Sequence, residues 1–74
     1  MAKLLGTGEI AKHFRITPQM VHVYATLGII RERRKTAAGY RLFGPEAVKR
    51  LEVARAMIQK GYPLRTVGEI FSKR

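Results

Sequence analysis

Arg15-Ile16-Thr17-Pro18-Gln19-Met20-Val21-His22-Val23-Tyr24-Ala25-Thr26-Leu27-Gly28 is the stretch that decides the fold. Thr17-Pro18 marks a helix start. The threonine hydroxyl can cap free backbone N–H groups, and proline fits the first helical position because its missing N–H has no partner there anyway. Gly28 marks the stop, since a left-handed residue commonly closes a helix. Between them Val21, Tyr24 and Ala25 fall on one side and Gln19, His22 and Thr26 on the other. Upstream, Thr7 is placed to cap a first helix, with Glu9 at the positive end of its dipole and Ile10, Ala11 and Phe14 as its apolar stripe. Two short helices joined by about three residues, with apolar Ile16 in the turn, make a helix-turn-helix unit.

Downstream, Ile29-Ile30 reads as buried. Arg31-Glu32-Arg33-Arg34-Lys35, then Thr36-Ala37-Ala38-Gly39, then Tyr40-Arg41-Leu42-Phe43 reads as a two-stranded β-ribbon with Gly39 supplying the positive φ of its loop. Such a hairpin is stable only when packed on the helices. Tyr40 is expected in the core with its hydroxyl still exposed. Gly44-Pro45-Glu46 opens the longest helix, with Val48, Leu51, Ala54 and Ile58 facing inward and Glu46 paired with Arg50 at i, i+4. Arg50 and Arg55 are expected on its solvated face. Gly61 ends it, Tyr62-Pro63 turns the chain, and Leu64, Val67, Ile70 and Phe71 face inward from a short last helix weakened by Gly68. The fold class is mostly α: a winged helix-turn-helix, four helices with a two-stranded β-ribbon wing.

Seventy-four residues suit one domain, residues 1–74, with a small core and little room for an enclosed active site. Fifteen Lys and Arg against five Asp and Glu give a net charge of +10, which attracts polyanions. There is no cysteine, hence no disulfide framework or thiolate metal site. The two histidines, His13 and His22, lie on different helices without companion carboxylates, so no metal and no cofactor is expected. No stretch has the length of a signal peptide's apolar region or a membrane span, and a cytoplasmic, nucleoid-associated protein without a membrane partner is expected. No paired carboxylates, Ser–His–acid set or phosphate-cradling glycine loop suggests an enzyme.

The ordered set resembles the N-terminal DNA-binding domain of the MerR family of bacterial transcription regulators. The matching residues are Gly8-Glu9-Ile10-Ala11-Lys12, Tyr24, Leu27-Gly28-Ile29-Ile30, Arg33-Arg34, Gly39-Tyr40-Arg41-Leu42-Phe43, the helix at Glu46–Lys60, and Gly61-Tyr62-Pro63-Leu64. The resemblance implies that the second helix enters the major groove while the ribbon and a second wing between the last two helices grip phosphates. It also implies dimers on repeated half-sites that distort promoter DNA for RNA polymerase. Three departures stand out. Arg15 occupies the turn position where the family usually has glycine. His22-Val23-Tyr24 replaces a common Arg-Tyr-Tyr. The sequence stops at Arg74, where the family's long dimerising helix and effector domain would begin, so a homodimer is expected only through further chain or on DNA.

The candidate DNA contacts follow. Gln19 and His22 are placed to read bases, and glutamine can pair with adenine through two hydrogen bonds. Thr17, Arg33, Arg34, Lys35, Tyr40 and Arg41 are placed on phosphates, and Lys60, Tyr62 and Arg65 serve the second wing. Two other functions remain open at this point. One is an excisionase-like or nucleoid protein that bends DNA without promoter control. The other is a basic adaptor for an acidic protein, which predicts wing arginines scattered away from the second helix.

Overall fold

The computed structural model describes residues 3–73. Its elements, in order, are β1 (Leu5–Gly6), α1 (Thr7–Phe14), α2 (Pro18–Thr26), β2 (Glu32–Lys35), β3 (Arg41–Phe43), α3 (Pro45–Gln59) and α4 (Leu64–Ser72). The four helices and the ribbon agree with the sequence. The sheet has a third strand that the sequence did not suggest. β1 pairs antiparallel with the inner strand β3, Leu5 opposite Phe43 and Gly6 opposite Leu42. Two residues carry too short a pattern to read as a strand. Their effect is to tie the start of α1 to the base of the wing.

Helix ends follow local chemistry. At α2, Thr17 Oγ1 accepts from the Met20 N–H at 3.2 Å, as its position before proline suggests. At α1 the expected cap is displaced by one residue: Thr7 lies inside the helix and Gly6 is the cap. Glu9 reaches back to accept from the Gly6 N–H at 2.9 Å. Three helices end in the same way. The left-handed residues Arg15, Gly28 and Gly61 are each followed by an apolar residue whose N–H reaches five residues back. Those bonds are Ile16 to the Ala11 carbonyl at 2.9 Å, Ile29 to Tyr24 at 3.0 Å and Tyr62 to Met57 at 3.1 Å.

Ile10, Val21, Ile29, Ile30, Phe43, Leu51 and Val67 are fully buried, with Tyr24, Ala11, Ala47 and Ala54 beside them. Each large member contributes about 1.5–3 kcal/mol by leaving water. The α3 stripe is rotated from expectation, since Ala47 is buried and Val48 only partly. Ile70, expected inside, is 44% exposed. Gly68 has a packing reason: a Cβ there would stand 3.2 Å from Leu27 Cβ and 3.4 Å from its carbonyl oxygen, so α4 crosses the end of α2 at close range.

The largest correction concerns α3. Arg50 is not on a solvated face and does not pair with Glu46. Its guanidinium donates to the carbonyls of Ile29 at 2.7 Å, Gly28 at 3.3 Å and Phe71 at 2.9 Å, and lies over the Phe71 ring. It therefore ties the end of α2 to the end of α4. Arg55 likewise turns inward, donating to the Tyr24 hydroxyl at 3.2 Å and lying over Phe14. Arg50 uses several donors of the planar fork that only arginine offers.

Candidate nucleic-acid interface

α2 presents Gln19, His22, Val23 and Thr26 to solvent, while Val21 and Tyr24 are buried beneath. At 3.6 residues per turn the four exposed positions span an arc of about 100°. Val23 was not foreseen as part of this face. It follows Gln19 by four residues, the same spacing that places any two residues on one helix side.

The ribbon stands beside this face. A cleft of about 300 Å³ is lined by Thr7, His22, Lys35, Gly39, Tyr40 and Arg41. It joins α1, α2 and both strands of the wing. Arg41 Nη1 contacts His22 Nδ1, and Arg41 Nε donates to Glu32 Oε1 at 2.7 Å. Lys35 Nζ lies 3.8 Å from the other Glu32 oxygen. The wing cations at Lys35 and Arg41 are thus gathered against α2 rather than scattered. Thr7 and Glu32 are site residues that the sequence did not indicate. Thr7 reads as a helix cap, and Glu32 as the one acid in a basic run.

The loop of the wing is closed by hydrogen bonds from the Thr36 N–H to the Tyr40 carbonyl at 2.8 Å and from the Gly39 N–H to the Thr36 carbonyl at 2.9 Å, with Gly39 at positive φ as expected. Tyr40 is not a core residue. It is 72% exposed, and its N–H is held by Thr36 Oγ1 at 3.1 Å. The alternation puts Phe43 inward, and Tyr40 lies beyond the end of the strand pair, one residue before β3 begins.

Arg33 points elsewhere. It makes a two-pronged pair with Glu46 at the start of α3, 2.9 Å and 3.1 Å. The hydrogen bond from Arg33 holds the Glu46 carboxyl below the usual carboxylate range, with help from the Glu46 backbone N–H. Arg34 is exposed, and among the described residues it forms no ion pair. Lys60, Tyr62 and Arg65 are all exposed around the turn between α3 and α4, with no hydrogen bond joining them to the cleft beside α2. Thr17 is exposed at the N-terminus of α2, its oxygen accepting one bond and its O–H still able to donate.

A family model described as MerR HTH family regulatory protein matches residues 6–74. The chain belongs to this family. The mercuric resistance operon regulatory protein of Bacillus cereus is 29% identical over 63 residues, covering 85% of this chain and 48% of that protein. The HTH-type transcriptional regulator ZntR of Escherichia coli (strain K12) is 30% identical over 67 residues, covering 90% of this chain and 48% of that protein. The chain thus spans about half the length of these curated relatives.

Among solved structures, a MerR family transcriptional regulator from Bacillus cereus aligns with a TM-score of 0.75 at 20% identity, covering 95% of this chain and 51% of that one. HiNmlR, a MerR family regulator lacking the sensor domain and bound to promoter DNA, aligns with a TM-score of 0.80 at 16% identity, covering 93% of this chain and 55% of that one. These likenesses establish the winged helix-turn-helix fold.

Within the MerR frame, Arg15 keeps the left-handed turn, at φ 57° and ψ 45°, where the family commonly has glycine. A side chain there costs about 1–2 kcal/mol. No helix among the described residues is long and apolar enough to cross a membrane, and none of their His, Asp and Glu side chains form a metal-binding group of three.

Proposed function

We propose that the protein binds double-stranded DNA sequence-specifically as the DNA-binding unit of a bacterial transcription regulator. α2 enters the major groove and two wings hold the flanking phosphates. The observation that carries this proposal is the cleft that joins His22 of α2 to Lys35, Tyr40 and Arg41 of the ribbon, because one docking pose then serves both elements. The net charge of +10 supports it.

Gln19, His22 and Val23 read base edges in this scheme, Val23 by apolar contact with a thymine methyl group. Arg34, Lys35 and Tyr40 hold phosphates at the first wing, and Lys60, Tyr62 and Arg65 at the second. The Thr17 hydroxyl donates to a phosphate at the N-terminus of α2, where the helix dipole also favours an anion. Arg33 reaches a phosphate only by releasing Glu46, and Arg41 is held within the cleft. HiNmlR is bound to promoter DNA, and by analogy the target is a promoter half-site in a repeat, occupied by two copies and acting on RNA polymerase in the cytoplasm.

Selection from a randomised duplex pool tests the division of labour. Gln19→Ala should relax preference at one or two base pairs, while Arg34→Ala should weaken all sequences alike. Loss of preference with Arg34→Ala, and none with Gln19→Ala, would overturn the assignment of α2 as the reading element.

A further inference from the structure

We infer that Glu32 and Arg41 are a positioning pair that fixes the tautomer of His22, so that α2 offers the DNA a hydrogen-bond donor, which guanine, like the other bases with a major-groove acceptor, satisfies and cytosine opposes. The inference rests on the proposed DNA-binding pose.

A guanidinium is always charged and has donors only. Arg41 Nη1 touches His22 Nδ1, so Nδ1 must be the acceptor. A neutral imidazole carries one N–H. With Nδ1 accepting, the proton sits on Nε2, and the nitrogen not engaged by Arg41 becomes a donor. Arg41 cannot turn away freely, because Glu32 Oε1 holds its Nε at 2.7 Å and its side chain is 30% exposed. The pair joins the inner strand of the wing to its partner strand, so the wing sets the chemistry of a residue on the neighbouring helix. The other side chains of the cleft, Thr7, Lys35 and Tyr40, offer no carboxylate that could take a proton from Nδ1 instead. This also explains why an arginine of a DNA-facing wing is tied to a glutamate.

His22 is exposed on the α2 face between Gln19 and Thr26. In the major groove guanine presents two adjacent acceptors, N7 and O6, and cytosine presents the N4 amino donor. An Nε2–H donor is satisfied by the first and opposed by the second. The gain of one neutral hydrogen bond corresponds to about a fivefold preference.

Two measurements test this. In the free protein, correlation of imidazole ¹⁵N with ring protons, recorded with the ring neutral, should show the Nε2–H tautomer of His22. Arg41→Met and Glu32→Ala should turn it into a mixture, and Glu32→Gln, which keeps an acceptor for Arg41, should restore it. In duplex selection, the wild type should favour guanine over cytosine by about fivefold at one position. His22→Ala, Arg41→Met and Glu32→Ala should each lose that preference there while keeping the preferences set by Gln19. An Nδ1–H tautomer in the wild type overturns the inference. So does an Arg41→Met protein that melts lower but selects the same bases, since that is the behaviour of a purely structural arginine. Failure of the wild type to bind any duplex, with the Nε2–H tautomer present, overturns the DNA-binding proposal instead.

Discussion

Replacing Arg50 by methionine removes the guanidinium and keeps most of the apolar stem. Three backbone carbonyls then lose a charged donor: Ile29 at 2.7 Å, Phe71 at 2.9 Å and Gly28 at 3.3 Å. A hydrogen bond to a charged group is worth about 1.5–3 kcal/mol. The site is part-buried, so water recovers some of the loss and the lower end applies to the two short bonds. The long third bond adds little. Arg50→Met should therefore destabilise by about 3 kcal/mol. That is a large fraction of the roughly 4–11 kcal/mol a chain of this length has in total. At about 4–8 °C per kcal/mol the melting midpoint should fall by roughly 12–24 °C. Circular dichroism against temperature and urea measures it. Arg50→Lys, a point charge that can reach one carbonyl, should fall between. A solvated-face residue would change stability by no more than about 0.5 kcal/mol, and that result for Arg50→Met would refute the clamp.

Other perturbations follow from the same contacts. Glu46→Ala breaks a half-exposed pair and should cost about 0.2–1 kcal/mol. Because the folded-state pKa is depressed, this stabilisation is present above the ordinary carboxylate pKa and is lost as pH falls through the lowered value, so the melting curves of the two proteins should converge on acidification. The same variant frees Arg33, and its DNA affinity should rise at low salt with a salt slope steeper by up to about 1. Arg15→Gly relieves a left-handed side chain worth about 1–2 kcal/mol but loosens the unfolded chain by about 0.4–1 kcal/mol, so urea denaturation should show a net gain of about 0.8 kcal/mol, within about 0–1.6. Gly68→Ala should destabilise despite better helix propensity, because its Cβ meets Leu27 Cβ and the Leu27 carbonyl; a thermal melt higher than wild type would contradict that close crossing.

Much of the fold was legible because local signals agreed. Thr17-Pro18, Gly28, Gly39 and Gly61 each mark an end or a turn that the structure keeps. What escaped were features set by tertiary geometry. β1 has two residues and exists only because β3 passes beside it. The i, i+4 spacing of Glu46 and Arg50 suggested a pair, but Arg33 reaches Glu46 from the wing and the carbonyls of Ile29 and Phe71 at the α2 and α4 ends draw Arg50 inward. Tyr40 looked like core by alternation, yet the strand begins one residue later. For the candidate site, the basic wing and the polar face of α2 were readable separately. Their junction through His22, Arg41 and Glu32 was not, because it joins residues 19 and 9 positions apart.

In the proposed pose α2 and both wings form one surface for duplex DNA. Its most direct test is the affinity of the protein for its selected duplex as a function of salt. With Arg34, Lys35, Lys60 and Arg65 each neutralising one phosphate, a plot of log affinity against log salt should fall with a slope of about −3.6. Replacing Arg34 with alanine should reduce that slope by about 0.9. A flat dependence, or an unchanged slope when both Lys60 and Arg65 are replaced, would contradict it.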